Sequence, residues 1–584
     1  MCGIVGTNFR SDNFNKSIKL LKHRGPDNQG YYEFENNQFG HTRLSIIDLD
    51  EEANQPMVFD DLIITFNGEI YNYQELIEKE NLNCITKSDT EVLIRLYQKY
   101  EKQFLNKLNG MFSFCIFDKK KNSFFCARDR FGKKPFYYYF KENKFIYASE
   151  LKSILNILDI KPDMNLTAFY EYLSFMAPIN DNTFYKDIKK LEAGTFIYLD
   201  KNDFKIDRYY DLNNIKTTQF DEKEILDNIE KLLISSVKSR LVSDVEVATL
   251  LSGGVDSSLT SALYSKYSNK QINTFCIGYD EHTHYSELPY AQIVSKHINS
   301  NHHELVIGKS NFIEAIDKML EHTDEPFGDS ASIPTYLLSE YINKQGIKVA
   351  LSGEGSDESF LGYDNYFKML EFYKSNTKPL DFTLTKEWEY NKRAYLNQPI
   401  YQTCGETFTE KQKEILFSNY KEKNYLANYK TNNYSPEKWL TYIDFKIWIS
   451  EVLMTKIDRM SMAHSLELRA PFLDYNLVEY MLSVDENLKR GNTNKYLLKQ
   501  VAEKYLPLEI VHRQKKGFSS PFIEWTIDYY KDQCLNIILE VNDNLHLFNK
   551  DFILFLYNQA KEKKFKQHFW NIFIFSKWFK KVYL

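Results

Sequence analysis

The stretch Leu250-Leu251-Ser252-Gly253-Gly254-Val255-Asp256-Ser257-Ser258 decides the fold of the C-terminal half. The apolar run Glu246 to Leu251 reads as a buried strand, and a helical pattern follows the glycines. A Gly-Gly turn there lets the backbone curl around phosphate oxygens, while the hydroxyls and the helix N-terminus add donors and positive potential. Ser252, Gly253, Gly254, Asp256, Ser257 and Ser258 are the candidate phosphate-binding residues, and the Asp256 carboxylate suits Mg²⁺. The sequence has no GxxxxGK[ST], so this is not a Walker A loop.

Outward from it, Asn273 to Ile277 and Lys348 to Leu351 read as further strands, with a helix over Ser286 to His297 between them. Strands alternating with helices predict a parallel α/β sheet. The second strand end, Leu351-Ser352-Gly353-Glu354-Gly355-Ser356-Asp357-Glu358, repeats the glycine-hydroxyl-acid pattern. In open α/β sheets ligands sit at the carboxyl ends of strands, so both loops are expected to face one ATP. From about Tyr363 the pattern turns mostly helical, and Phe552 to Trp578 is expected to be amphipathic helix packed on the body.

Upstream, a polar aperiodic segment, Asp211 to Glu222, reads as a linker, and the first 210 residues read differently. Short β-prone runs there (Leu62 to Phe66, Met111 to Phe117, Ser123 to Ala127) mix with helical stretches such as Thr90 to Lys102, without regular βαβ order. That predicts an α+β unit. Cys2 follows Met1, and a second residue that small permits removal of Met1. The freed residue would hold both a thiol and an α-amine, with reference pKa values of about 8.5 and 7.7–8.0, so proton transfer between them is easy. Asn67-Gly68-Glu69 ends a strand. An amide and a backbone N–H there can form an oxyanion hole, although Asn-Gly is also a turn signal. Arg43 suits a bidentate grip on an α-carboxylate, and Asp89 could equally open a helix.

Composition narrows the function classes. The chain has 584 residues, 43% apolar and 26% charged, with net charge −6, which argues against a nucleic-acid partner. Seven cysteines in irregular spacing fit a reduced, cytoplasmic protein better than a disulfide framework or a zinc site. No run approaches about 18 apolar residues, and Arg10 interrupts any signal-like start, so no membrane partner is expected.

MCGIVG, His23 to Asp27 (HRGPD), RLSIID (Arg43 to Asp48), NGEIYN (Asn67 to Asn72), SDTE and ARDRFGKKPFYY resemble the class II glutamine amidotransferase domain. This resemblance implies an N-terminal-nucleophile αββα sandwich over residues 2–210. It implies Cys2 as nucleophile, Asn67 and Gly68 as oxyanion hole, and Arg43, Ile46, Asn67, Glu69 and Asp89 as glutamine-binding residues. The two glycine loops, with Phe275-Cys276-Ile277-Gly278, Ser461 to Asp474 and Arg513-Gln514-Lys515, resemble the ATP-pyrophosphatase domain of the asparagine synthetase family over 222–584. That implies ATP contacts from Leu251, Ile277, Ser352 and Gly353, and Mg²⁺ on Asp256 and Asp357. It also implies that Glu354 assists adenylate formation and ammonia attack, and that Lys515 steadies the leaving phosphates.

The expected cofactors are therefore ATP and Mg²⁺, and the expected substrates glutamine, ATP and a carboxylate acceptor. Aspartate is the first expectation for that acceptor. Asp324 to Ala331 and Lys515 to Phe518 look closer to a bacterial branch thought to amidate sugar carboxylates in surface-polysaccharide synthesis, which is the alternative. A shielded passage for ammonia between the two sites is expected by the resemblance, and a homodimer stays open.

Overall fold

A computed structural model describes residues 1–375, 378–379, 382–401, 406–429, 431, 434–514, 517 and 520–584. Two antiparallel six-stranded sheets build the first 208 residues. The first runs Ile188–Lys190, Tyr137–Lys141, Lys144–Ala148, Gly3–Thr7, Asn37–Arg43, Asn28–Phe34. The second runs Phe204–Arg208, Thr195–Leu199, Ser123–Arg128, Gly110–Asp118, Leu62–Ile70, Met57–Phe59.

Side-chain alternation explains the layering. Ile4 and Phe39 point to the inter-sheet core with Ile63, Phe117 and Phe124. Val5, next in sequence, joins Ile18 and Ile154 of the helices Phe14–Lys19 and Leu151–Leu158 on the outer face. Helices Tyr73–Glu80 and Asp89–Tyr100 cover the other sheet through Leu76, Val92 and Leu96. The unit is the expected αββα sandwich, tightened by rings such as Phe117 and Phe124, whose centroids lie 4.7 Å apart.

The segment 211–221 holds no helix and pairs only at Thr218, beside Val484. Asp221 then caps the helix Glu222–Arg240 by accepting from Glu224 N at 2.8 Å. A five-stranded parallel sheet follows, ordered Asn301–Ile307, Asn273–Tyr279, Val247–Leu250, Val349–Leu351, Glu467–Arg469. Thr249 pairs with Leu351, so the two glycine loops leave neighbouring strands at the same edge.

Two features depart from the sequence reading. Helices Pro436–Ile443 and Met454–Met462 are joined by a π-helical stretch, Asp444–Leu453, whose wider turn shifts the faces of the helices it joins. The tail helix Lys566–Tyr583 is not amphipathic in practice: every residue from His568 to Ser576 is buried. The Tyr172 hydroxyl donates to Asn571 O at 2.9 Å, whereas, among the described residues, Trp570 Nε1 and Asn571 Nδ2 are buried without a partner. Its neighbours include Leu166–Phe175 of the sandwich, so it buries all faces rather than one. Among the described residues no helix is long and apolar enough to cross a membrane.

Candidate active sites

Cys2 immediately precedes the central strand Gly3–Thr7 of the first sheet, and Gly3 pairs with Thr42. A side chain at Gly3 would meet Thr42 Oγ1 at 2.6 Å, so only glycine lets the strand enter this closely. Cys2 is buried, and its backbone N–H donates to Asn67 Oδ1 at 3.1 Å. That bond fixes the Asn67 amide with Nδ2 buried and, among the described residues, without a partner. An orphaned donor beside a thiol is what a developing oxyanion would take up.

Burial raises the Cys2 thiol pKa, against the opposing pull of the chain's terminal ammonium and of Arg43. Burial also raises Glu69, whose Oε2 has no partner among the described residues, and pushes Asp89 up to about 7. Asp89 accepts from Ile70 N at 2.9 Å, and Glu69 lies 3.6 Å from Arg469 of the parallel-sheet unit. Ile46 is buried in the same apolar cluster as Met1, Leu44 and Tyr71.

Arg43 is differently engaged than a free carboxylate clamp. Its terminal nitrogens donate to Asp50 O and Asn54 Oδ1 at 2.9 and 2.8 Å, and also to Ile47 O and Asp48 O. A substrate carboxylate would have to displace part of that set. Met1 itself is buried, and its ammonium lies 3.2 Å from Glu467.

At the other site the loops meet. A Cβ at Gly353 would lie 2.9 Å from Ser257 N and 3.1 Å from Asp256 Cβ, so the second loop packs on the first. Leu251, Ser252, Gly254, Asp256, Ser257, Ile277, Ser352, Gly353, Glu354 and Asp357 all line one cleft of about 430 Å³. Gly253 and Ser258 do not. Gly253 sits at φ +75° against Tyr290, and Ser258 is fully buried inside the helix Val255–Tyr267. Lys515 lies outside the described residues.

Lysines missed in the sequence reading organise the cleft. Lys495 Nζ lies 2.5 Å from Asp256 and 2.7 Å from Asp357, and these two carboxylates raise its pKa despite burial. Two acids converging on one cation suit a divalent ion equally well. Among the described residues no group of three or more metal-ligating side chains occurs, so such an ion would complete its shell from phosphates and water. Lys456 lies 3.3 Å from Asp329 and 3.7 Å from Glu354. Arg513 pairs with Glu287 and covers the Tyr290 ring at 4.3 Å. No local pattern marked Lys456 or Lys495, because their partners are remote in sequence.

The two sites share one helix. Met454–Met462 carries Lys456 to the cleft and, two residues on, Asp458 to the sandwich. Asp458 accepts from Arg24 at 2.8 and 3.0 Å, and Arg24 Nε donates to Cys2 O at 3.0 Å. Beside this helix lies a small cavity between the two units, lined by Arg128, Tyr137, Glu325, Thr455 and Asp458 among others.

Comparison with known proteins agrees with this layout. Residues 1–210 match the glutamine amidotransferase domain family and residues 228–580 the asparagine synthase family. Asparagine synthetase [glutamine-hydrolyzing] 1 of Bacillus subtilis is 31% identical, over 99% of this chain and 96% of its own. Asparagine synthetase B of Escherichia coli is 29% identical, over 86% and 77%. Amidase chyE of Penicillium rubens is 27% identical, over 88% and 85%.

Proposed function

The chain belongs to the asparagine synthase family and is a glutamine-hydrolysing, ATP-dependent ligase; from that premise we propose that it converts aspartate to asparagine. We further propose two functional domains, 2–210 for glutamine hydrolysis and 222–584 for synthesis. Cys2 attacks the glutamine amide carbon, ammonia leaves, and water releases glutamate from the thioester. Asn67 Nδ2 and the Gly68 N–H take the oxyanion's charge, while Glu69, Asp89, Ile46 and Arg43 hold glutamine.

In the cleft the acceptor carboxylate attacks the α-phosphorus of ATP, and the bond to pyrophosphate breaks. Ammonia then attacks the acyl carbon of the mixed anhydride, AMP leaves with its bonding pair, and the nitrogen loses a proton. A carboxylate is a poor electrophile, and adenylation supplies the leaving group it lacks. Leu251, Ser252, Gly254, Ser257, Ile277, Ser352 and Gly353 cradle ATP. Asp256 and Asp357 would hold Mg²⁺, which offsets phosphate charge when bound. Lys495 and Glu354 serve the transferring and attacking groups, a role in which Lys515 joins them by resemblance.

The observation that carries this reading is the convergence of Asp256, Asp357 and both glycine loops on one cleft, linked to Cys2 through a single helix. The test is a panel of carboxylates, including aspartate and sugar acids, assayed with glutamine and ATP for pyrophosphate and amide product. Asparagine formation supports the proposal. Amidation of a sugar acid with none of aspartate refutes it.

A further inference from the structure

One end of the cleft is walled by three segments remote in sequence. Gly328 N donates to Met176 O at 2.8 Å, and a Cβ on Gly328 would meet Met176 Cβ at 2.8 Å and Asn571 Oδ1 at 2.7 Å. Met176 comes from the sandwich, Gly328 and Asp329 from the loop after Thr323, and Asn571 from the tail helix. Gln567, one turn before Asn571, lines the cleft together with Met176 and Asp329.

The Gln567 amide has a fixed orientation. Its Nε2 donates to Gly328 O and to Asn571 Oδ1, both at 2.7 Å. Two carbonyl acceptors identify that atom as the nitrogen. Among the described residues no donor reaches its Oε1, so this oxygen is an acceptor held ready at the cleft wall. Asp329 stands nearby with one oxygen accepting from Ala331 N at 3.0 Å and the other 3.3 Å from Lys456. Lys456 is shared with Glu354, so this end carries two carboxylates against one ammonium. Its local field favours a cation, and its spare polar atoms accept hydrogen bonds.

We infer that Asp329 and Gln567 form the subsite for the ammonium group of an amino-acid acceptor, so that the buried tail helix helps set acceptor specificity. The inference rests on the amidation reading and sharpens it: a carboxylate without an amine leaves this end unpaired. Losing one hydrogen bond to a charged group typically weakens binding about 10- to 100-fold.

The test compares kcat/KM for aspartate with that for succinate, which lacks only the amine, by pyrophosphate release in wild type, Gln567→Leu, Gln567→Glu and Asp329→Asn. A ratio within one preparation is insensitive to how much of it is folded. The expected result is a strong wild-type preference for aspartate that falls about 10- to 100-fold in Gln567→Leu and Asp329→Asn. Gln567→Glu keeps an acceptor oxygen but loses both bonds that Nε2 makes, so it is expected to lose the preference as Gln567→Leu does. An unchanged ratio in Gln567→Leu and Asp329→Asn overturns the inference alone. A wild type that ignores aspartate fells both the inference and the reading beneath it.

Discussion

Arg24 and Asp458, 434 residues apart, form a two-pronged ion pair at 2.8 and 3.0 Å in which both side chains are buried. Arg24 also donates to the carbonyl of Cys2, and Asp458 shares a helix with Lys456. The thiol and the cleft of the two glycine loops are therefore parts of one packed network. Arg24 also pairs with Glu150 at 3.0 Å, and Lys134 lies 3.5 Å from Asp458, so removing Asp458 unbalances a shared network and costs less than the about 3–5 kcal/mol of breaking an isolated buried pair. Asp458→Asn is expected to lower the melting temperature and to raise the ratio of glutamate formed to amide formed above that of the wild type. A calorimetric scan and a paired glutamate–amide assay check both; an unchanged ratio would show that the pair serves stability only.

Cys2→Ala is expected to abolish glutamine hydrolysis and glutamine-driven synthesis while sparing synthesis from added ammonium. Asn67→Ala is expected to lower the glutaminase kcat about 10²- to 10³-fold, the usual consequence of losing one oxyanion donor. Steady-state glutaminase assays on both variants check this. Asn67→Ala activity within threefold of wild type would exclude the role given to Nδ2.

Met1 is buried against the cluster containing Leu44 and Ile46, with its ammonium beside Glu467. A retained Met1 caps the Cys2 amine, the base that the proposed glutamine hydrolysis uses. The active protein is expected to begin at Cys2. N-terminal sequencing with intact mass checks this, and a fully active chain retaining Met1 would contradict it.

Asp89 is held at about 7 chiefly by burial, far above the usual carboxylate range. Between about pH 4 and pH 7 the folded state holds a proton there that the unfolded chain has released. Its contribution to stability is present below the unfolded pKa and is lost as pH rises through the folded one. Asp89→Asn is expected to remove one proton's worth of that slope, about 1.4 kcal/mol per pH unit, in urea unfolding followed across this window. A variant with the wild-type slope would place the proton elsewhere.

Periodicity and turn chemistry made much of the architecture legible. Val247–Leu250, Val349–Leu351 and the helix Asp89–Tyr100 fall within a residue or two of where the apolar spacing puts them. The glycine loops announced their cleft because phosphate contact demands bare backbone. Lys456, Lys495 and Gln567 were not legible, since each acquires meaning only from partners brought close by tertiary packing. In the tail, Lys550–Lys561 buries one face as its pattern predicts, whereas the aromatic density from Phe569 to Phe579 belongs to a helix buried on all sides. Arg43 was legible as a carboxylate-binding type, but its bonds to the carbonyls of 47–50 depend on loop geometry that no spacing encodes.

The most direct measurement follows nitrogen. The enzyme is given glutamine labelled with ¹⁵N at the amide, ATP and aspartate in a large excess of unlabelled ammonium, and the product amide is read by mass spectrometry. Nitrogen released at Cys2 and delivered to an adenylated acid predicts asparagine carrying mostly ¹⁵N. Product matching the unlabelled pool, or no ATP-dependent amide at all, contradicts the account.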